Sequence, residues 1–206
     1  EVGGDAPIFA ITNTYGALTP INGESMFGTP TTNNNSKLVP EKQKSWETGI
    51  EASFLKDRVG FNVTYYHAQQ INQIMPISVS TSTGFGTFYV NGGTVQNTGL
   101  EIGLNLVPVQ TRDFSWHIDV NWSKDAQKVI SLYNNQPTYV IANYQNSVRL
   151  VAEPGKPYQL QGTKYVYLNG QREIDANGYP MIDPNVHSDL GTPNPDWIGG
   201  INNSFR

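Results

Sequence analysis

Cysteine is absent from the 206 residues, which removes disulfide frameworks and thiolate sites and says little about redox compartment. Charge is scarce: charged residues are 15% of the chain and the formal net charge is -4. With no basic stripe, nucleic acid is excluded as an expected partner. No run approaches the roughly 18 apolar residues that a membrane-spanning helix needs. That excludes a helical membrane protein but not a barrel, whose strands alternate and read as only moderately hydrophobic. The opening Glu1-Val2-Gly3-Gly4 has neither the basic n-region nor the apolar core of a secretion signal. The expectation is a signal already removed, or a start inside something larger.

What is present points to strands. Gly 20, Pro 13 and Tyr 11 in a chain only 37% hydrophobic suit many strands joined by turns better than a helical bundle. The length holds one domain, or one large β-domain, with a core of its own. FSWHIDVNWS, at 114–123, sets Phe114, Trp116, Ile118, Val120 and Trp122 on one face and Ser115, His117, Asp119, Asn121 and Ser123 on the other, because successive side chains of a strand point to opposite sides. SWETGIEASF alternates in the same way, and a short turn at LKDR leads into VGFNVTYYH, a hairpin signature. QQINQIMPISVSTSTGFGT runs into a small-residue loop. Leu100, Ile102, Leu104 and Leu106 then alternate with Glu101, Gly103 and Asn105 before a short turn at VPVQTRD, and WIGGINNSF opens a further strand. About five strands are expected. KDAQKVISL is the best, weak helix candidate, through Ala126, Val129 and Ile130.

The connections are lopsided. Turns after Phe54 and Leu106 are tight, whereas those at the opposite ends are long and polar. This fits an all-β, antiparallel up-and-down transmembrane β-barrel segment with short periplasmic turns and long extracellular loops. Sandwiches use Greek-key crossovers and loops of similar size at both ends. The expected organisation is an extracellular loop region over 1–37, barrel strands and hairpins over 38–123, a long extracellular loop with small hairpins over 124–195, and the start of another barrel strand over 196–206. Trp46, Phe114, Trp116, Trp122 and Trp197 are expected to face lipid or form an aromatic girdle. Eight residues of tilted strand cover about 20 Å, close to the roughly 25 Å apolar band. Glu47, Glu51, Glu101 and Asp119 are expected to face the lumen. Any antiparallel sheet with one buried face gives the same alternation, so periodicity alone leaves open a secreted, soluble carbohydrate-binding β-domain.

Longer patterns narrow this. LVPEKQKSWETGIEASFLKDRVGFNVTYYHAQQINQI contains Pro40-Glu41, then Lys44-Ser45-Trp46-Glu47-Thr48-Gly49, then a tight turn leading to Tyr65-Tyr66. In this it resembles the SusC/RagA family of TonB-dependent outer-membrane transporters. NGGTVQNTGLEIGLNL is similar to that family's Asn-x-Gly-x-x-x-Asn-x-Gly-aliphatic-Glu element. The likeness continues in DFSWHIDVNWSKDAQKVISL, in EPGKPYQLQGTKYV, and in GTPNPDWIGGINNSF, similar to an Asn-Pro-Asp-aromatic-x-Gly-Gly strand start. Any one element is weak; all of them in order from 38 to 205 are specific.

The resemblance implies a piece of a barrel of about 22 strands around a plugged lumen, in the bacterial outer membrane and in contact with its lipid. It implies import of a large nutrient, a glycan or an oligopeptide, with a SusD-like surface lipoprotein as cap and TonB acting through a plug region that these residues do not resemble. Such a piece alone has two open edges and a lipid-seeking face, and is not expected to fold independently.

Chemistry-bearing sites are few. Glu47 and Glu51 share a strand face, with α-carbons roughly 13 Å apart, wide for a hydrolytic carboxylate pair. His67, His117 and His187 are scattered, so no metal site is expected. EIDANGYPMID suggests a calcium loop until Pro184 stands where the closing Glu belongs, and a turn at Asn177-Gly178 explains it better. No cofactor and no enzyme activity is expected. The long connection holds Tyr133, Tyr139, Tyr144, Tyr158, Tyr165, Tyr167 and Tyr179, and TKYVYLNGQREI within it reads as a hairpin. Tyr139, Tyr144, Tyr158, Tyr165 and Tyr167 are candidates for contact with substrate or partner, tyrosine being amphipathic and fairly rigid. Packing within the loop layer accounts for them equally.

Overall fold

The computed structural model of the chain describes residues 10–144 and 147–206, the side chains at 184–186 excepted. Residues 1–9 of the expected loop region, and the Pro184 side chain, therefore lie outside the described residues. In chain order the strands are β1 (Gly16–Ile21), β2 (Glu24–Gly28), β3 (Thr32–Asn33), β4 (Lys42–Phe54), β5 (Val59–Ser78), β6 (Thr87–Gln110) and β7 (Ser115–Ser131). There follow β8 (Tyr139–Tyr144), β9 (Val148–Ala152), β10 (Gln159–Tyr165), β11 (Tyr167–Leu168), β12 (Gln171–Arg172), β13 (Ile182–Gly191) and β14 (Ile198–Phe205). Among the described residues, helix is confined to single 3-10 turns at Thr81–Thr83 and Tyr133–Asn135. None is long and apolar enough to cross a membrane.

The main sheet runs β14-β7-β6-β5-β4, with β3 beside β6 in parallel. Sequence neighbours are spatial neighbours from β4 to β7, the up-and-down order. A second sheet runs β13-β10-β9-β8, and β1-β2 and β11-β12 are separate hairpins. The turn after Phe54 is tight because Leu55, Lys56 and Asp57 all take positive φ, 55–63°. Asn169 (φ 52°) and Gly170 (φ 82°) link β11 to β12, the two positive φ values that suit the twist of a two-residue hairpin.

Three local expectations change. The weak helix candidate at KDAQKVISL is strand, because β7 continues to Ser131. There Val129 N–H donates to Lys156 O and Val129 O accepts from Gly155 N–H, each at 2.8 Å. One turn of apolar helix face cannot compete with such ladder bonds. β6 likewise absorbs most of VPVQTRD, leaving a turn closed by Thr111 N–H on Phe114 O at 2.7 Å. The third is the count: the five expected strands are β4, β5, β6, β7 and β14 of the main sheet, and the described residues add nine others, most of them short. β5 and β6, at 20 and 24 residues, also exceed the roughly 9–11 that cross a bilayer.

The described residues cluster into two compact units, one drawing on 10–44, 69–95 and 130–136, the other on 45–68, 96–129 and 137–206. Ala10, Met75, Val90, Val95 and Leu132 are the buried apolar side chains of the first strand-and-loop unit; Val129, Val151 and Ala152 are those of the second. The second unit buries little of its aromatic strand face. Trp46 is 53% exposed, Ile50 69% and Ile201 71%. A soluble sandwich would seal these residues between two sheets; here they stand uncovered on β4 and β14, the outer strands of the main sheet.

Candidate functional site

The β7–β14 ladder sets out the two faces of the wall. Phe205 lies opposite Trp116, Asn203 opposite Ile118, Ile201 opposite Val120 and Gly199 opposite Trp122, and directly opposed residues share a face. Phe205 stacks 5.8 Å from Trp116 and 6.4 Å from Phe114, beside a tight turn, as Phe54 stacks 6.0 Å from Phe61 beside the other. Towards the far end Trp46 lies 5.4 Å from Tyr65 and 5.9 Å from His67. Trp197 and Trp122 there close around Gly199. Trp46, Phe114, Trp116, Trp122 and Trp197 thus form two aromatic tiers on one face, with Ile50, Ile118, Val120 and Ile201 between them.

The reverse face is polar. Asp119 lies opposite Asn202 and accepts from Asn105 Nδ2 at 2.8 Å and Asn202 Nδ2 at 3.5 Å. Gly49 faces Thr64, and strand alternation places Glu47 and Glu51 on that side. A Cβ at Gly99 would fall within the Tyr66 ring, which lies across the glycine while its hydroxyl donates to Asp125 Oδ1 at 3.0 Å. Asn62, Thr64, Glu101, Asn121 and Ser123 line a shallow hollow of about 330 Å³ on this unit. All four acidic candidates therefore share the polar face, among carboxamides and hydroxyls suited to hydrogen-bonding a hydrated surface.

The five candidate tyrosines lie along different strands and turns of the long connection. Tyr139 and Tyr144 sit on β8, an outer strand of the second sheet. Tyr165 and Tyr167 belong to the β11–β12 end of the loop, where the Arg172 guanidinium stands 4.3 Å over the Tyr165 ring. Tyr158 lies between these groups in sequence and donates its backbone N–H to Gln127 Oε1 at 3.2 Å. At the calcium-like stretch, Asp175 Oδ1 accepts the Asn177 and Tyr179 N–H groups, each at 2.9 Å. The carboxylate is used in closing its own turn.

Sequence reasoning missed a polar cluster in the second sheet. Gln161 is 7% exposed, and Arg149 Nε and Nη2 donate to its Oε1 at 3.1 and 3.0 Å. Its Nε2 donates to Glu153 Oε1 and Asp189 Oδ1, both at 2.9 Å. Lys156 Nζ bridges the same carboxylates, 2.7 Å from Glu153 and 3.3 Å from Asp189. The Gln161 amide and then the Lys156 ammonium hold the Asp189 carboxyl below its ordinary pKa. Glu153 first, then Asp189, hold the Lys156 ammonium above its own. Nearby, Asp125, Gln127, Pro157, Asn194 and Asp196 line a hollow of about 270 Å³, so three stretches that carry the resemblance meet around one space.

The family model "TonB dependent receptor-like, beta-barrel" matches residues 4–201. The chain belongs to this family. Among relatives, TonB-dependent receptor P26 of Formosa agariphila is 27% identical, covering 92% of this chain and 21% of that protein. TonB-dependent receptor SusC of Bacteroides thetaiotaomicron is 25% identical, covering 85% of this chain and 18% of that protein. Among solved structures, the RagAB peptide transporter superposes with a TM-score of 0.73 at 19% identity, covering 92% of this chain and 22% of its own. The chain thus spans about a fifth of the length of the relatives it matches. It is a segment of an outer-membrane β-barrel, with the barrel not closed within these residues.

Within this TonB-dependent receptor segment, two elements of the sequence resemblance have structural work. Asn91 behaves like a strand partner for Val39, accepting its N–H and donating to its O, both at 2.8 Å. The same Nδ2 reaches Asn72 O at 2.9 Å, where Asn72 takes a φ of 62° within β5. Glu41 Oε1 accepts the Ile74 N–H at 2.6 Å. Segment 39–41 is thereby tied, through Asn91, to the irregular residue in β5 and, through Glu41, to Ile74 just beyond it. The only signal for these roles was the motif itself, since neither partner is near in sequence.

Proposed function

We propose that this chain supplies wall, lumen surface and outer loops to a TonB-dependent receptor that imports a large nutrient, a glycan or an oligopeptide, across the outer membrane. In this reading the tiered aromatic face of Trp46, Phe114, Trp116, Trp122 and Trp197 meets lipid. Glu47, Glu51, Glu101 and Asp119 face the lumen and the plug held in it. Residues 1–37 and 124–195 form extracellular loops, on which Tyr139, Tyr144, Tyr158, Tyr165 and Tyr167 are available to substrate or partner. A SusD-like lipoprotein covers the mouth, and TonB acts through a plug supplied elsewhere in the protein. The chain binds and conducts without making or breaking bonds.

The observation that carries this reading is the two-faced wall. Aromatic side chains stand in two tiers with exposed aliphatics between them, backed by a face of carboxylates, carboxamides and glycines. A lipid-facing band edged by aromatics around a polar interior is what a transmembrane barrel requires. The test uses spin labels on single cysteines in the full receptor in bilayers. Labels at Ile50 and Ile201 are expected to collide with oxygen, and labels at Glu51 and Asn202 with an aqueous nickel chelate. Equal aqueous access at all four positions would sink the reading.

A further inference from the structure

The stretch EPGKPY at 153–158 is part of the family resemblance, yet wall, lumen and mouth do not explain its residues. Its backbone docks on the end of a wall strand: Lys156 O accepts the Val129 N–H, Gly155 N–H donates to Val129 O, each at 2.8 Å, and Tyr158 N–H reaches Gln127 Oε1 at 3.2 Å. Gly155 makes the turn with a φ of 89°, a conformation costly for other residues. Val129 and Val151 beneath it are 0% exposed.

The side chains of the same turn face the other way. Glu153 and Lys156 engage Gln161 on β10 and Asp189 on β13, and Arg149 on β9 completes the group. Two cations and two anions thus surround one nearly buried carboxamide, which uses its oxygen for the guanidinium and its nitrogen for both carboxylates. Formal charge cancels within the cluster, so little solvation is forfeited unpaired. Side chains from β9, from β13 and from the docking turn thus meet at one residue of β10.

We propose that this turn is a clasp, locked by Gln161, that makes the β8–β9–β10–β13 sheet a fixed ledge on the end of β7 rather than a swinging lid. Opening of the mouth then falls to segments other than this sheet. The ledge's position at the extracellular mouth rests on the transport reading; its rigidity does not.

The test uses the full receptor in bilayers, with spin labels on cysteines replacing the exposed Lys128 and Lys164, and with amide hydrogen exchange at Val129 and Gly155. A clasp gives one narrow label-to-label distance, with Val129 and Gly155 protected like the wall amides of β7. Gln161→Leu is expected to broaden that distance and speed exchange at Val129 and Gly155 by at least about tenfold, a local opening. Exchange along 115–123 stays unchanged. Should Gln161→Leu fail to give the heat-modifiable folded band, Gln161→Glu keeps the shape, loses the donors to both carboxylates and is read the same way. Two well-separated distances in the wild type, or wild-type distance and exchange in the substituted protein, would overturn the clasp. Neither result depends on which face of the wall meets lipid, so the transport reading and the clasp fail separately.

Discussion

Gly99 and Tyr66 show how much a single atom matters on the polar face. The ring lies where a Cβ at 99 would stand, and from that position the hydroxyl reaches Asp125. Gly99→Ala is expected to cost about 1–3 kcal/mol through overpacking, read in the full receptor as a lower temperature for loss of the folded electrophoretic band. The cost is expected to shrink in a Tyr66→Ala background, because the clash then has no partner. Asn91→Asp keeps the acceptor for Val39 N–H but removes the donor to Val39 O and Asn72 O. It is expected to cost about 1–3 kcal/mol, and faster amide exchange at Val39 is the check. The side of the strand on which Gly99 and Glu101 fall is readable from alternation alone. That Tyr66 lies over Gly99, or that Asn91 pairs with Val39, is not readable, because both contacts depend on which strand residue stands beside which.

At the scale of elements, the second sheet carries its own pH dependence. The Asp189 pKa is lowered in the folded state, so its contribution is full above the ordinary carboxylate pKa and is lost as pH falls through the lowered folded value. The Lys156 pKa is raised, so its contribution is full below the ordinary lysine pKa and is lost as pH rises through the raised folded value. Between those limits Asp189 and Lys156 are both charged and their contributions are expected to hold steady. Amide exchange at Val151 and Gln161 measured against pH checks both arms, and Lys156→Met is expected to remove the alkaline one. Local chemistry explains why some elements were legible. The turn at LKDR and the Asn169-Gly170 hairpin are written in adjacent residues, as is the Asx turn at Asp175. The four-stranded second sheet is not: Arg149, Gln161 and Asp189 come from three strands and look like scattered polar residues until those strands pair.

For the molecule as a whole, the decisive property is the exposed aromatic band. Ile201 is 71% exposed, opposite Val120 and between the aromatic tiers. Under the transport reading, Ile201→Arg is expected to cost about 2–4 kcal/mol at mid-membrane and to reduce folded receptor in outer membranes. Asn202→Arg, one residue on and facing the other way, is expected to assemble near wild-type level. Equal loss from both substitutions would contradict the two-faced wall. β4 and β14 are the outer strands of the main sheet, and unpaired edge groups in hydrocarbon cost several kcal/mol each. Under the transport reading, further strands of the barrel are expected to pair with both edges.

Alternation along 46–54, 59–65, 100–106 and 114–122 was enough to establish strands, their two faces and the lopsided turns, because a period of two follows from backbone geometry and needs no partner. Whether the greasy face was buried or exposed was beyond alternation, since a soluble core and a lipid-facing band have the same period. The tertiary structure shows Trp46, Ile50 and Ile201 uncovered on the two outer strands of the main sheet. It also decided where the long connection goes, through Val129, Gly155 and Gln161. Hydrogen bonds between residues far apart in sequence exist only once the register of the ladders is set.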